Sequence, residues 1–144
     1  MLLGIAAGAI TLHLEHDDRR IVQREATRFA AALEQAIASA QWQGQTLGVS
    51  GEGASYRFWR QDGGAEWHVI TEEENLAPRA LPEGFDVHAE RYAGAAVAPN
   101  VILPLRATGR NDPYELALSS PNWTAHIGAD TLNRVRFAVI ARER

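Results

Sequence analysis

Residues Ile21 to Gly48 read IVQREATRFAAALEQAIASAQWQGQTLG, and this stretch decides the fold. Its apolar residues recur every three or four positions, which is the period of one buried face of an α-helix. The other side carries arginine, glutamate and glutamine, and Gly44 supplies a C-cap, so the pattern predicts an amphipathic helix ending at about Gln43. The residues expected to form the helix-to-sheet core are Val22, Phe29, Leu33 and Ile37.

Upstream of this stretch, residues Met1 to Leu14 (MLLGIAAGAITLHL) are almost purely apolar. A helix needs about twenty apolar residues to cross a bilayer, and a signal peptide needs a basic leader and a small-residue cleavage site. The segment fits neither description, so we expect residues 1–14 to be the C-terminal part of a transmembrane or assembly helix that begins before this chain. Residues 15–144 are expected to form a soluble globular domain. The residues expected in the membrane or assembly helix are Leu2, Leu3, Gly4, Ile5, Gly8, Ile10 and Leu12.

After Gly44 the helical period gives way to alternation of apolar and polar residues in short runs, which predicts β-strands. The Asp62-Gly63-Gly64 turn predicts a hairpin, and proline-punctuated and small-residue loops are expected over 71–84 and 93–99. The fold class is therefore α+β, with the long N-terminal helix packed on one meandering antiparallel sheet. Strands are expected near 47–49, 56–59, 66–70, 85–89, 101–106, 114–119, 123–127 and 135–140.

The amino-acid composition excludes several kinds of catalytic and binding site. The chain has 144 residues, a length that suits one domain with one core. It contains no cysteine, and all of its fourteen basic residues are arginine, which excludes thiolate metal sites, cysteine nucleophiles and lysine-based catalysis. The net charge of -4 disfavours a nucleic-acid partner, because phosphate binding depends on an excess of lysine and arginine.

The histidines are the main candidates for site chemistry. His68, His88 and His126 each fall on the polar side of a predicted strand, so we expect them to face solvent rather than to act in catalysis. His13 and His16 have a helix-compatible spacing for a metal, but they lie where an apolar segment meets water, a natural place for polar residues. We therefore predict no catalytic, cofactor-binding or metal-binding residue.

The C-terminal segment is locally basic in an otherwise acidic chain. Charged residues on an exposed edge strand prevent edge-to-edge pairing, and this role explains the arginines. A strip that contacts phosphate or a protein partner is the alternative. The residues of this candidate strip are Arg134, Arg136, Arg142 and Arg144.

Three motifs together resemble a known family. They are the helix end EQAIASAQWQGQTLG (Glu34 to Gly48), the run YRFW (Tyr56 to Trp59), and the segment LAPRALPEG (Leu76 to Gly84) ahead of a strand. Combined with an apolar helix that turns amphipathic, they resemble the H-type minor pseudopilin of the bacterial type II secretion system, in the GspH/FimT-like pilin family. The resemblance extends from about residue 4 to the end of the chain.

This resemblance implies a pilin-like fold, a single inner-membrane helix with a methylated N-terminus, and a globular domain in the periplasm. It implies a non-enzymatic subunit without cofactor, which assembles with the I-, J- and K-type minor pseudopilins and the major pseudopilin into a pseudopilus. That assembly takes part in secreting folded proteins across the outer membrane, so secreted substrates are further expected partners. A minor pilin of a type IV pilus, acting in pilus biogenesis or DNA uptake, is the alternative, and the C-terminal arginines favour it. The family's leader, its cleavage glycine and the following phenylalanine and glutamate have no counterpart in this sequence.

Overall fold

The first element of the fold is one long helix, α1 (Leu2–Gln43). The structure is a computed structural model that describes residues 2–108 and 110–142, with side chains described from residue 17 onward. The helix ends at Gly44, whose φ of +62° is left-handed. The Gln45 N–H donates a hydrogen bond to the Ala40 carbonyl at 3.1 Å. This is the Schellman ending that a glycine after the last helical residue favours.

In the described part of the chain, ten strands follow the helix, most of them close to the predicted positions. Two lie inside predicted loops, and each is held by pairing with a longer neighbour. One of them forms a hairpin through Ala93 and Gly94, whose φ values of +54° and +82° suit a tight two-residue turn. The strands are β1 (Leu47–Glu52), β2 (Ser55–Gln61), β3 (Trp67–Val69), β4 (Arg79–Ala80), β5 (Asp86–Tyr92), β6 (Ala95–Ala96), β7 (Leu103–Leu105), β8 (Tyr114–Ser119), β9 (Trp123–Ala129) and β10 (Val135–Ala141).

The strands form two antiparallel sheets, not the single meander that we expected. Sheet A has the order β3-β2-β1-β7, with β4 also paired to β2, and sheet B has the order β10-β9-β8-β5-β6. The sheets meet where β5 passes the end of β1, and the Val87 N–H donates to the Gly53 carbonyl at 2.8 Å. A Cβ added at Gly51 would lie 2.5 Å from the Val87 carbonyl oxygen, so this close approach requires glycine.

The core lies between the helix and the two sheets. Phe29 packs edge-on against Tyr56, with ring centroids 4.1 Å apart, and also contacts Phe58 of sheet A. The four helix residues expected to hold the helix against the sheet, Val22, Phe29, Leu33 and Ile37, are all buried. We call the side of sheet B that joins this core its inner face. It comprises Leu116, Leu118, Ala125, Ile127 and Ala129, together with the partly buried Val135, Phe137 and Val139.

Asp18 and Arg19 of the helix contact the turn between β8 and β9. The Ser120 hydroxyl donates to the Asp18 carboxylate at 2.5 Å, and the Arg19 guanidinium lies over the Trp123 ring, 5.0 Å from its centroid. These two contacts hold this part of the helix against sheet B.

The predicted membrane or assembly residues Leu2, Leu3, Gly4, Ile5, Gly8, Ile10 and Leu12 are helical in backbone, and their side chains lie outside the described part of the structure. No helix in the described part of the chain is long and apolar enough to cross a membrane.

Candidate functional surfaces

The outer face of sheet B, opposite the core, is polar. Strand alternation turns every second side chain of β5, β8, β9 and β10 away from the helix. His88, Ala117, His126 and Ala138 are cross-strand neighbours in one row of this face. The two histidines are thus separated by a single small residue, which leaves room between them.

A β-bulge in β5 adds a carboxylate to this row. The register between β5 and β8 shifts between Ala89 and Arg91, so Glu90 is the extra residue of the bulged strand. Bulges of this kind redirect a side chain without ending the strand. The Glu90 carboxylate lies 3.2 Å from His126 Nδ1 and 3.8 Å from His88 Nε2. The bulge therefore brings a carboxylate between two histidines of different strands.

Glu115 of β8 completes the group, which we call the outer-face cluster: His88, Glu90, Glu115 and His126. Glu115 Oε1 lies 2.9 Å from His126 Nδ1. Burial, and then the neighbouring Glu90 carboxyl, raise the pKa of the Glu115 carboxyl above its usual range, while the charge of His126 opposes the rise. The two carboxyl groups thus lie close enough to repel each other when both are ionised.

A fifth side chain orients the cluster from outside. The Asp86 carboxylate lies 2.8 Å from His88 Nδ1 and leaves Nε2 of the same ring facing Glu90. His88 and His126 lie on the outer face, as expected from their polar strand positions, and each side chain is 34% exposed. The sequence shows both residues on polar strand faces, but it does not show that β5, β8 and β9 are neighbours.

A second histidine–carboxylate group, the turn cluster of Asp62, Glu66 and His68, lies in the predicted β2–β3 hairpin. His68 is exposed, as predicted, and its Nε2 lies 2.8 Å from Asp62 Oδ2. Asp62 Oδ1 also accepts from the backbone N–H groups of Gly64 and Glu66. The hydrogen bond with His68 and those backbone bonds lower the pKa of Asp62, and Asp62 in turn raises the pKa of His68. This carboxylate is already fully engaged in closing the turn.

The arginine strip does not converge on one site. Arg134 Nε donates to Asp130 at 2.8 Å, and Arg142 Nη1 donates to the Ser120 carbonyl at 3.0 Å. These two residues flank opposite ends of β10, while Arg136 is exposed on the outer face between them. Arg144 lies outside the described residues. β10 is the edge strand of sheet B, so the arginines occupy the edge that one sequence interpretation assigned to them.

The LAPRALPEG segment contributes a charge pair beneath the helix. Arg79 Nη2 donates to the buried Glu25 carboxylate at 3.0 Å, and the Leu81 N–H donates to the Ala54 carbonyl at 2.7 Å. Burial, and then the charge of Glu25, raise the pKa of the nearby Tyr56 to about 12. This motif therefore holds the helix against the sheet through the pairing of Glu25 with Arg79, which no local sequence pattern predicts.

The helix end presents an aromatic residue to solvent. Trp42, the last residue but one of α1, is 91% exposed. The average large aromatic residue is mostly buried, and an isolated exposed tryptophan is a frequent anchor of protein interfaces. Trp42 thus departs from the burial that is usual for a large aromatic side chain.

Comparison with known proteins identifies the fold. No protein-family profile and no curated protein sequence matches this chain. Two structures of the minor pseudopilin EpsH from the type 2 secretion system of Vibrio cholerae are 19% and 17% identical to it. They match 81% and 83% of this chain and 95% and 97% of their own, with TM-scores of 0.64 and 0.67. The solution structure of Escherichia coli GspH is 19% identical, with 84% of this chain and 89% of that one covered at a TM-score of 0.60.

These matches confirm the fold class predicted from the sequence, a long N-terminal helix on antiparallel strands. They also agree with the resemblance carried by the helix end, the YRFW run and the LAPRALPEG segment. The chain has the fold of the H-type minor pseudopilins of type II secretion.

Proposed function

We propose that this chain is a minor pseudopilin, a non-catalytic subunit of the type II secretion pseudopilus that takes part in moving folded proteins across the outer membrane. The observation that carries the proposal is the fold match over more than four-fifths of the chain to EpsH and GspH. The partners that follow from it are the I-, J- and K-type minor pseudopilins and the major pseudopilin.

Localisation forms part of the proposal. The backbone is helical from Leu2, and Asp18 and Arg19 further along the helix contact the β8–β9 turn. Residues 1–14, apolar in sequence, then serve as the membrane and assembly segment. Residues 15–144 form the periplasmic domain, whose helix is clipped to the sheets.

One described surface suits contact with a neighbouring subunit. Trp42 lies beside the helix end, is almost fully exposed and adds a large apolar area that water contacts in the isolated chain. Covering such a ring in an interface stabilises the interface without costing the monomer any packing. We expect Trp42 to contribute to assembly and not to the stability of the chain.

The test is association of the full chain, in detergent, with the I-, J- and K-type minor pseudopilins and with a short DNA duplex at physiological salt. Binding to at least one pseudopilin, without binding to DNA, is expected. Trp42→Ala should weaken the association at least tenfold and leave the unfolding temperature unchanged, whereas the matched change Leu132→Ala, at another exposed apolar side chain, should not weaken it. Absence of binding to every pseudopilin would overturn the proposal.

The type IV pilus alternative depended on a phosphate-contacting strip. Two of its arginines are engaged with Asp130 and the Ser120 carbonyl at opposite ends of β10, so the strip does not converge on one phosphate-binding surface. DNA binding that disappears in the combined alanine variant of Arg134, Arg136 and Arg142 would revive that alternative.

A further inference from the structure

We propose that the outer-face cluster of His88, Glu90, Glu115 and His126 binds one divalent transition-metal ion, with Zn²⁺ as the best-suited metal. Imidazole nitrogens and carboxylate oxygens are the ligands that such ions take in cysteine-free sites. Glu90, Glu115 and His126 each offer one ligand atom, and these three atoms lie within 4.8 Å of one another.

The distances between the ligand atoms suit a small tetrahedron. Zinc bonds to nitrogen and oxygen are about 2.1 Å long, so the edges of a tetrahedral site measure roughly 3.4 Å. His126 Nδ1 lies 2.9 Å from Glu115 and 3.2 Å from Glu90, and His88 Nε2 lies 3.8 Å from Glu90. Glu90, Glu115 and His126 therefore already have the spacing of three ligands of one ion, and His88, next to Glu90, is the candidate fourth ligand.

The charges of the cluster favour a bound cation. The ligand atoms of Glu90 and Glu115 lie within 4.8 Å of each other, so the two carboxylates repel each other when both are ionised. Among the ion pairs of the described residues, each of these carboxylates is paired only with histidine, and none with arginine. A divalent ion bound between the two carboxylates neutralises both at once.

The surroundings of the cluster have the form of a metal site. The Asp86 carboxylate accepts from His88 Nδ1 and orients the ring, the arrangement that carboxylates give to metal-bound histidines. The small Ala117 leaves space between the two histidines. His88, Glu90 and His126 line a depression of about 380 Å³, together with Ser119, Thr124 and Arg142. Solvent can therefore supply a water ligand.

A bound ion would join β5, β8 and β9 by their side chains. It would add a cross-link to the hydrogen-bonded ladders of sheet B and stabilise the folded chain by mass action. The turn cluster is less suited to bind a metal ion, because the Asp62 carboxylate already accepts hydrogen bonds from two backbone N–H groups and contacts His68.

The experiment uses the full chain without an affinity tag, cleared of metal with a chelator. Zn²⁺ is titrated calorimetrically, and Co²⁺ is added in a parallel sample because tetrahedral Co²⁺ absorbs visible light strongly. We expect one Zn²⁺ to bind per chain through the cluster, a rise in unfolding temperature and a tetrahedral Co²⁺ spectrum. Ca²⁺ and Mg²⁺ should produce neither change, since they prefer all-oxygen sites of higher coordination number.

Variants distinguish Zn²⁺ binding at the outer-face cluster from binding at other histidines. His126→Ala and the near-isosteric Glu115→Gln should each weaken Zn²⁺ binding at least tenfold, while His68→Ala in the turn cluster and the paired change of His13 and His16 to alanine should leave it unchanged. Circular dichroism checks that each variant folds. If His126→Ala does not fold, Glu115→Gln still tests the site. Failure of Zn²⁺ to bind, or binding that survives Glu115→Gln and is lost in either control, overturns the proposal.

Discussion

The two faces of sheet B are made by neighbouring residues of the same strands, yet different forces form them. Leu116 and Ile127 turn inward and are fully buried against the helix, while Glu115 and His126, one position earlier on each strand, turn outward and meet at 2.9 Å. The inner face is held by loss of apolar surface from water, which is nondirectional. The outer face depends on charges whose effect varies with every neighbour, so similar substitutions should have unlike consequences on the two faces.

The largest expected effect comes from the inner face. Ile127→Ala removes a fully buried side chain between the helix and sheet B, and such truncations cost about 2–5 kcal/mol. Urea unfolding followed by circular dichroism measures the change. His126→Ala, the neighbouring position on the outer face, is the control and should cost less than about 1 kcal/mol in the presence of a chelator. Equal losses of stability in the two variants would show that the two faces do not differ in their contribution to folding.

The Glu25–Arg79 pair tests whether charge can substitute for apolar packing on the helix side. Arg79→Ala leaves the buried Glu25 carboxylate without its partner, and we expect a loss of about 2–4 kcal/mol, since Arg79 is partly exposed. Replacing both residues by apolar ones, Glu25→Leu with Arg79→Met, should recover at least half of that loss in the same urea measurement. If the double variant is no more stable than Arg79→Ala, apolar side chains cannot replace the ion pair, and its role extends beyond neutralising the Glu25 charge.

A smaller effect is expected from pH on the outer face. The pKa of Glu115 is higher in the folded chain than in the unfolded one, so the folded state binds the proton more tightly. The contribution of this group is fully present below the unfolded pKa of about 4.3 and is lost as the pH rises through the raised folded pKa. Glu115→Gln should therefore be more stable than the parent chain near pH 7, by less than about 1 kcal/mol because the carboxyl is partly exposed.

The measurement is the difference in free energy of unfolding between the parent chain and Glu115→Gln at pH 4, 5, 6 and 7, with a chelator present throughout. The difference should disappear towards pH 4. His126 and His88 face the same carboxyls, so His126→Ala is run in parallel to separate their contribution. A difference that grows on acidification would contradict the assigned direction.

The smallest expected effect concerns the exposed turn cluster. There Asp62 and His68 stabilise each other's charged forms, so the pKa of Asp62 is lowered and that of His68 is raised. This stabilisation is present above the unfolded pKa of Asp62 and below that of His68. It is lost as the pH falls through the lowered folded pKa of Asp62 or rises through the raised folded pKa of His68. Asp62→Asn should return the His68 pKa towards its ordinary value of about 6.5, measured by NMR titration of the ring. An unchanged His68 titration would show that the His68 ring and the Asp62 carboxylate do not interact in solution.

The inner face of sheet B could be predicted from the sequence. The inner positions follow from alternation, because burying Leu116, Leu118 and Ile127 requires only that each strand turn one face to the core. The helix and its end at Gly44 follow from periodicity and from the conformational freedom of glycine. These are local patterns, and the structure agrees with them.

The outer-face cluster depends on information that local patterns do not contain. Glu90, Glu115 and His126 come from three strands, and they meet because the strand order places β8 between β5 and β9 and a bulge turns Glu90 towards them. The division into two sheets likewise depends on one close approach, at Gly51. By contrast, the contact of Asp62 with His68 spans six residues of a hairpin that the sequence predicts, although we did not name that pair in advance.

The β8–β9 turn also determines how a mechanical load would pass through the molecule. Asp18 and Arg19 attach the helix to Ser120 and Trp123, and Arg142, just after the final strand, binds the Ser120 carbonyl. A pull along the helix axis from its N-terminal side meets this turn before it reaches the apolar core. The turn passes that force to β8 and β9, which it joins, and through Arg142 to the end of β10, so three strands of sheet B share the load.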